Sequence, residues 1–229
     1  MLRLTAAEII AWAKWTARLA REQNVVDAPA GDGHAVLVLP AFLHGDSYTA
    51  RVRGFLKNKG YAVFGWNLGI NVVPSQRRLN GVRDRLMEIS NQHGPVSIVG
   101  FSMGGLFARW LSMQMPDRVR QIITVCSPIH QPDRNFWLPL GPVLRLLSDV
   151  DLHQLTDEIA QPLHVPATIL LNRNDGMVNF AACVDRHADR DRVIEIGCPH
   201  VLIAKNPEVT RILAEILARP ILGSGQNGT

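Results

Sequence analysis

Gly100-Phe101-Ser102-Met103-Gly104 sets one serine between two glycines, directly after the apolar run Val96-Ser97-Ile98-Val99 and before Gly105-Leu106-Phe107-Ala108-Arg109-Trp110. Glycine inside a strand or helix costs about 0.5–1 kcal/mol relative to alanine, so three glycines here need a geometric reason. A sharp strand-to-helix reversal supplies one. Strained backbone at the serine lifts its hydroxyl clear of the sheet edge, and the small flanking residues let neighbouring chain pass close by. The first turn of the new helix then directs its amides and positive dipole end at the same spot. The pentapeptide therefore predicts a nucleophile elbow with Ser102 at its tip.

Such a serine needs a sheet beneath it, and the rest of the chain predicts one. Six short runs read as strands: 34–39, 61–66, 96–100, 121–126, 167–171 and 192–196. They are mostly continuous apolar runs rather than alternating ones, the mark of strands covered on both faces. Between them lie helix candidates at 46–58, 75–92, 104–115 and 206–218, the last opening on Asn206-Pro207, a capping residue followed by proline at the first helical position. This alternation specifies a mostly parallel, doubly wound α/β sheet with right-handed crossovers. One connection breaks the rhythm. Residues 128–166 hold six prolines and the apolar cluster Phe136-Trp137-Leu138-Leu140, a composition that predicts a small helical cap. The expected organisation is an N-terminal amphipathic helix over 1–25, a main domain over 26–219 carrying that cap, and a flexible tail over 220–229.

On these residues the chain resembles the α/β-hydrolases of the lipase and esterase kind, particularly small bacterial members. The likeness runs from about 34 to 218. It implies an α/β-hydrolase fold and an acyl-enzyme mechanism with the chain order nucleophile, acid, histidine. A serine hydroxyl is a weak nucleophile and requires a base within hydrogen-bond reach. That order removes His34, His44 and His93. His130, His153 and His164 fall in the expected cap, and His187 lies in an arginine- and aspartate-rich stretch. His200 follows the last strand candidate and the turn Gly197-Cys198-Pro199, at the carboxyl edge where parallel sheets present functional groups. The acid that orients the imidazole is assigned to Asp175, in a polar turn straight after the apolar run 167–171, with Asp149, Asp151 and Asp157 as rivals. Two backbone amides must receive the developing oxyanion. Met103 supplies one. The resemblance assigns the other to Phe42, although alanine at position 41 replaces the usual glycine, and Asp46 after His44-Gly45 is the second reading. Leu43, Trp66, Phe136 and Trp137 are candidate pocket-lining residues.

The expected activity is hydrolysis of carboxylic esters, small-molecule or lipid-like, with the apolar cap favouring medium-chain acyl groups. An acyltransferase, a thioesterase or a non-catalytic binding protein of the same fold are the alternatives. Twenty arginines and four lysines give a formal charge of +4, but no basic block exceeds two residues and no aromatic stripe interleaves, which argues against nucleic acid. No phosphate loop, paired-cysteine motif or HExxH occurs, so neither cofactor nor metal is expected. The three cysteines make no disulfide framework, although Cys183 and Cys198 flank the acid and base region and are a conceivable pair. No secretory signal and no membrane span is read, which makes cytoplasmic residence the default. Ile9, Trp12, Thr16 and Leu19 share a helical face. That face either packs on the domain or meets a lipid interface through Trp12 and Trp15.

Overall fold

A computed structural model of the chain describes residues 27–130, 148–185, 187 and 192–220. The strands are β1 (Ala35–Leu39), β2 (Ala62–Gly65), β3 (Val96–Phe101), β4 (Val119–Val125), β5 (Ala167–Leu171) and β6 (Val193–Glu195). They form one parallel sheet in the order β2-β1-β3-β4-β5-β6. The chain steps outward from β1 to β2, returns across β1 to β3, and then proceeds in sequence to the far edge. The order reverses at the β1–β3 junction, where sheets of this kind leave a crevice beyond their carboxyl ends.

Two apolar layers explain why the strands are mostly apolar. Val36 and Val38 of β1 join a cluster with α1 (Asp46–Asn58) and α6 (Pro207–Leu217) on one face; the four-residue α5 (Phe180–Cys183) lies between β5 and β6 in the chain. Ala35, Leu37 and Leu39 of the same strand join a second cluster with α2 (Gln76–His93), α3 (Met103–Gln114) and α4 (Leu152–Ile159) on the other. Successive strand side chains point to opposite faces, so a strand buried on both sides is apolar at most positions, and the polar side chains of Ser97, Gln121, Thr124 and Thr168 are buried with the rest.

Helix ends follow local chemistry. Asn206 caps α6 by accepting the Glu208 amide at 2.8 Å, with Pro207 at the first helical position. Asp151 caps α4 by accepting the amides of His153 and Gln154. Asp149 accepts the Gln76 amide at 2.7 Å where α2 begins. Two of the rival acids therefore have structural work at helix starts. A buried cation anchors α4: Arg109 of α3, fully shielded from solvent, donates to Asp185 and to the carbonyls of Ile159 and Gln161.

Residues 1–25, the segment 131–147 with Phe136 and Trp137, and nearly all of the tail lie outside the described residues. Among those described, no helix is long and apolar enough to cross a membrane.

Candidate active site

Ser102 sits between β3 and α3 with φ 49 and ψ −118, a left-handed conformation that few side-chain-bearing residues adopt. Its amide donates to Val125 O on the neighbouring strand at 2.8 Å, and its carbonyl accepts from Gly105 at 2.9 Å. The glycines have the reason their positions suggested. A Cβ on Gly100 would lie 2.5 Å from the Gly104 carbonyl oxygen, and one on Gly104 would lie 2.5 Å from Leu39 O. Helix α3 thus leaves the elbow pressed against β1, an approach only glycine permits.

The three polar residues expected to converge do so. His200 Nε2 lies 3.0 Å from Ser102 Oγ, and His200 Nδ1 lies 2.7 Å from Asp175 Oδ2. His200 is the first residue of a 3₁₀ turn (His200–Lys205) following Pro199. Asp175 occupies the loop after β5, and its second oxygen accepts the amides of Met177 and Val178 at 2.8 and 3.0 Å. The Asp175 side chain is 1% exposed. Burial pushes its carboxyl up. The His200 hydrogen bond and charge, with the Val178 and Met177 amides, outweigh that and hold it below the ordinary carboxylate value. An ionised acid accepting from Nδ1–H fixes the tautomer that leaves Nε2 free to take a proton from the serine.

Ser102 and His200 open onto a cavity walled by Phe42, Met103, Leu106, Pro128, Met177 and Val178. No charged side chain lines it among the described residues. Both expected oxyanion donors, Phe42 and Met103, stand on this wall. Asp46 does not. Its carboxylate instead clasps the amides of Trp66 and Asn67 at 3.0 Å each.

Two expectations need correction, and the pairing the sequence left open is answered. Trp66 does not line the cavity: it is fully buried in the α2–α3 layer, edge-on to Phe107, with Nε1 donating to Gly69 O. Leu43 is 57% exposed and lies outside the cavity wall. Cys183 and Cys198 form no disulfide; both are free and buried. Burial pushes each thiol up to about 12, so both stay protonated and inert.

Two residues near the site carried no sequence reading of this kind. Asn172 ends the apolar run of β5. Its Nδ2 donates to Cys198 O at 2.8 Å and its Oδ1 accepts the Asn174 amide, so it ties the acid loop to the histidine loop. A polar residue abruptly closing a buried strand was the available signal. Cys126, at φ 48, places its sulfur within 4.8 Å of the Asp175 carboxylate and a ring nitrogen of His200. Burial, reinforced by the charge of Asp175, raises its thiol pKa. Sulfur, carboxylate and imidazole are a conceivable ligand set for a soft cation. The 2.7 Å bond between Asp175 and His200, however, occupies the space between two of the three.

Residues 75–155 match the family model described as alpha/beta hydrolase fold. No curated protein matches the chain. Among solved structures it resembles one reported for LipS and LipT, two metagenome-derived lipolytic enzymes, at 14% identity over 82% of this chain and 95% of that one, with a TM-score of 0.60. The monoacylglycerol lipase of Paleococcus ferrophilus aligns at 15% identity over 83% and 96%, TM-score 0.59. MGS-MChE2, an alpha/beta hydrolase enzyme from the metagenome of lagoon sediments at Mar Chica, Morocco, aligns at 18% identity over 82% and 91%, TM-score 0.57. Strand order, the turn at Ser102 and these likenesses together establish that the protein has the α/β-hydrolase fold.

Proposed function

We propose that the protein is a serine hydrolase that cleaves carboxylic esters through an acyl-enzyme. The observation that carries this reading is the 3.0 Å contact between Ser102 Oγ and His200 Nε2 at the wall of an apolar cavity. Ser102 Oγ attacks the ester carbonyl carbon as His200 Nε2 takes its proton. The amides of Phe42 and Met103 hold the oxyanion, each worth about 3 kcal/mol to the barrier. The tetrahedral species collapses, and the imidazolium returns the proton to the departing alcohol. Water then attacks the acyl-serine, giving its proton to His200, which returns it to Ser102 Oγ as the acid leaves. Asp175 orients His200 throughout and stabilises its charged form.

Cavity composition supports an uncharged, apolar acyl group of medium length, or a lipid-like ester. The solved lipolytic neighbours are compatible with that class.

A fluorophosphonate probe tests the mechanism: it is expected to add to the folded protein, read by intact mass, and to leave Ser102→Ala untouched. Parent protein that takes no label, and that hydrolyses esters no faster than Ser102→Ala, overturns the reading in favour of a binding protein. A series of p-nitrophenyl esters tests the acyl class, with rates expected to rise from acetate to medium chains. Strict acetate preference would refute it. The same assay with thioesters, and with added alcohol acceptors, separates hydrolysis of esters from the thioesterase and acyltransferase alternatives.

A further inference from the structure

The loop joining β1 to α1 must hold the Phe42 amide in one orientation if that amide is to receive an oxyanion, and its own bonds, His44 N–H to Ala41 O and His44 Nδ1 to Phe42 O at 2.7 Å, close the turn without tying it to its surroundings. Two of its amides are committed. Leu43 N–H donates to Asn71 O at 2.6 Å, and His44 N–H donates to Ala41 O at 3.1 Å. The Phe42 N–H donates to no described residue. Leu43 is held at φ 59, a conformation unfavourable for leucine, so the loop does not adopt this shape of its own accord.

What ties the turn to the rest of the fold comes from the loop after β2. Asn71 donates its backbone N–H to His44 O at 2.8 Å and accepts Leu43 N–H, gripping the loop's exit. Its side-chain Nδ2 donates to Pro40 O at 2.8 Å, gripping the entry 31 positions away. Phe42 is the apex between the two grips. Asn71 is fully buried, and its Oδ1 has no hydrogen-bond partner among the described residues. A buried unpaired amide oxygen is costly, so the side chain is suited to this place by its other half, the NH₂. The amide cannot be turned over to relieve the oxygen, because that would set Oδ1 against the Pro40 carbonyl.

We propose that Asn71 is a positioning residue for the oxyanion: by clamping Pro40 and Leu43–His44 it aims the Phe42 amide into the cavity. The proposal rests on the serine-hydrolase reading. It assigns Asn71 an effect on transition-state stabilisation with little effect on substrate binding, because the side chain is shielded from the cavity.

The test compares Asn71→Ala and the isosteric Asn71→Asp with the parent, at a temperature where circular dichroism shows all three folded. Kinetics on a p-nitrophenyl ester are expected to show kcat lowered about 10- to 100-fold, part of what losing a whole oxyanion donor costs, with KM within about threefold. An alkylboronic acid, which forms a tetrahedral adduct on the serine, should lose affinity in step with kcat. Asn71→Asp should be at least as impaired as Asn71→Ala, since it sets a carboxylate against Pro40 O. Should Asn71→Ala not fold, Asn71→Ser, whose hydroxyl is too short to reach Pro40, takes its place. Folded variants with kcat within about twofold of the parent, a loss confined to KM, or boronate affinity unchanged while kcat falls would each overturn the proposal. A parent that neither binds the boronate nor takes a fluorophosphonate fails differently, because it removes the hydrolase reading itself.

Discussion

Strand β3 carries a Ser–His–Asp chain of contacts at each end. Beyond its carboxyl end stands Ser102, bonded to His200 and through it to Asp175. Near its amino end stands Ser97, whose Oγ lies 2.9 Å from His34 Nε2, while His34 Nδ1 contacts Asp32. The residue types are the same and the serine–imidazole distances nearly so. The surroundings are opposite. Ser97 is an ordinary strand residue, fully buried between β1 and β4, and its oxygen also accepts from Gln121. Asp32 is 53% exposed and shares its charge with Arg120, whereas Asp175 is shielded and braced by two amides. The comparison separates what a triad is made of from what makes it reactive. On the proposed hydrolase reading, the second part is a serine raised by a left-handed turn, a cavity in front of it, and amides placed to receive charge.

The widest gap between the two ends should appear on removing the serines. Ser102→Ala is expected to cut kcat/KM by about a millionfold, and Ser97→Ala to leave it within about twofold, measured on one p-nitrophenyl ester. A comparable loss in both would break the distinction drawn here. The acids come next. Asp175→Asn should lower kcat by about 10⁴-fold by favouring the wrong imidazole tautomer, with fluorophosphonate labelling slowed in parallel; Asp32→Asn should leave labelling unchanged. Gly104→Ala probes the elbow itself. Its Cβ would press on Leu39 O and Pro40 O, so we expect a loss of about 1–3 kcal/mol in denaturant unfolding, accompanied by lower kcat because the oxyanion loop is displaced.

Acid should bring out the smallest difference. Burial pushes the His34 imidazole below its ordinary 6.5, with Arg120 adding to the effect and Asp32 opposing it. The unfolded chain therefore protonates first, and stability present above pH 6.5 is lost as pH falls through that value toward the folded one. Asp175 behaves later: its folded pKa is below 3.8, so its contribution persists until pH falls through the carboxylate range. Melting temperature followed against pH should begin to decline near 6.5 in the parent, and His34→Gln should flatten that first phase. A first phase unaffected by His34→Gln would show that another group sets it.

Much of the architecture was readable because it is written locally. A strand buried on both faces is apolar at most positions, so the sequence places β5 to the residue and β3 within one. Helix α1 was bounded correctly over 46–58. β4 begins two positions earlier than expected, because the Pro116–Arg118 turn delivers the chain straight into Val119. The glycines around Ser102 announced close approach, although not that Gly104 would meet the carbonyls of β1. Convergence in space was harder. Trp66 follows a strand toward the functional edge, yet nothing local says that its ring turns inward to Phe107. Asp149 and Asp151 look as acidic as Asp175, and only their position at helix starts sets them apart. Asn71 and Asn172 work by bridging loops distant in sequence, a property no single stretch displays.

Arg109 has a consequence for anyone exchanging parts between proteins of this fold. Its guanidinium, on the helix that begins after Ser102, is satisfied by acceptors at Ile159 and Gln161, inside the proline-rich connection, and at Asp185 beyond it. A graft that replaces only 131–147 keeps those acceptors. One that replaces the whole of 128–166 keeps the buried pair with Asp185 but removes the Ile159 and Gln161 carbonyls, leaving guanidinium N–H groups unmet in the interior at about 1–3 kcal/mol each unless the graft supplies carbonyls in their place.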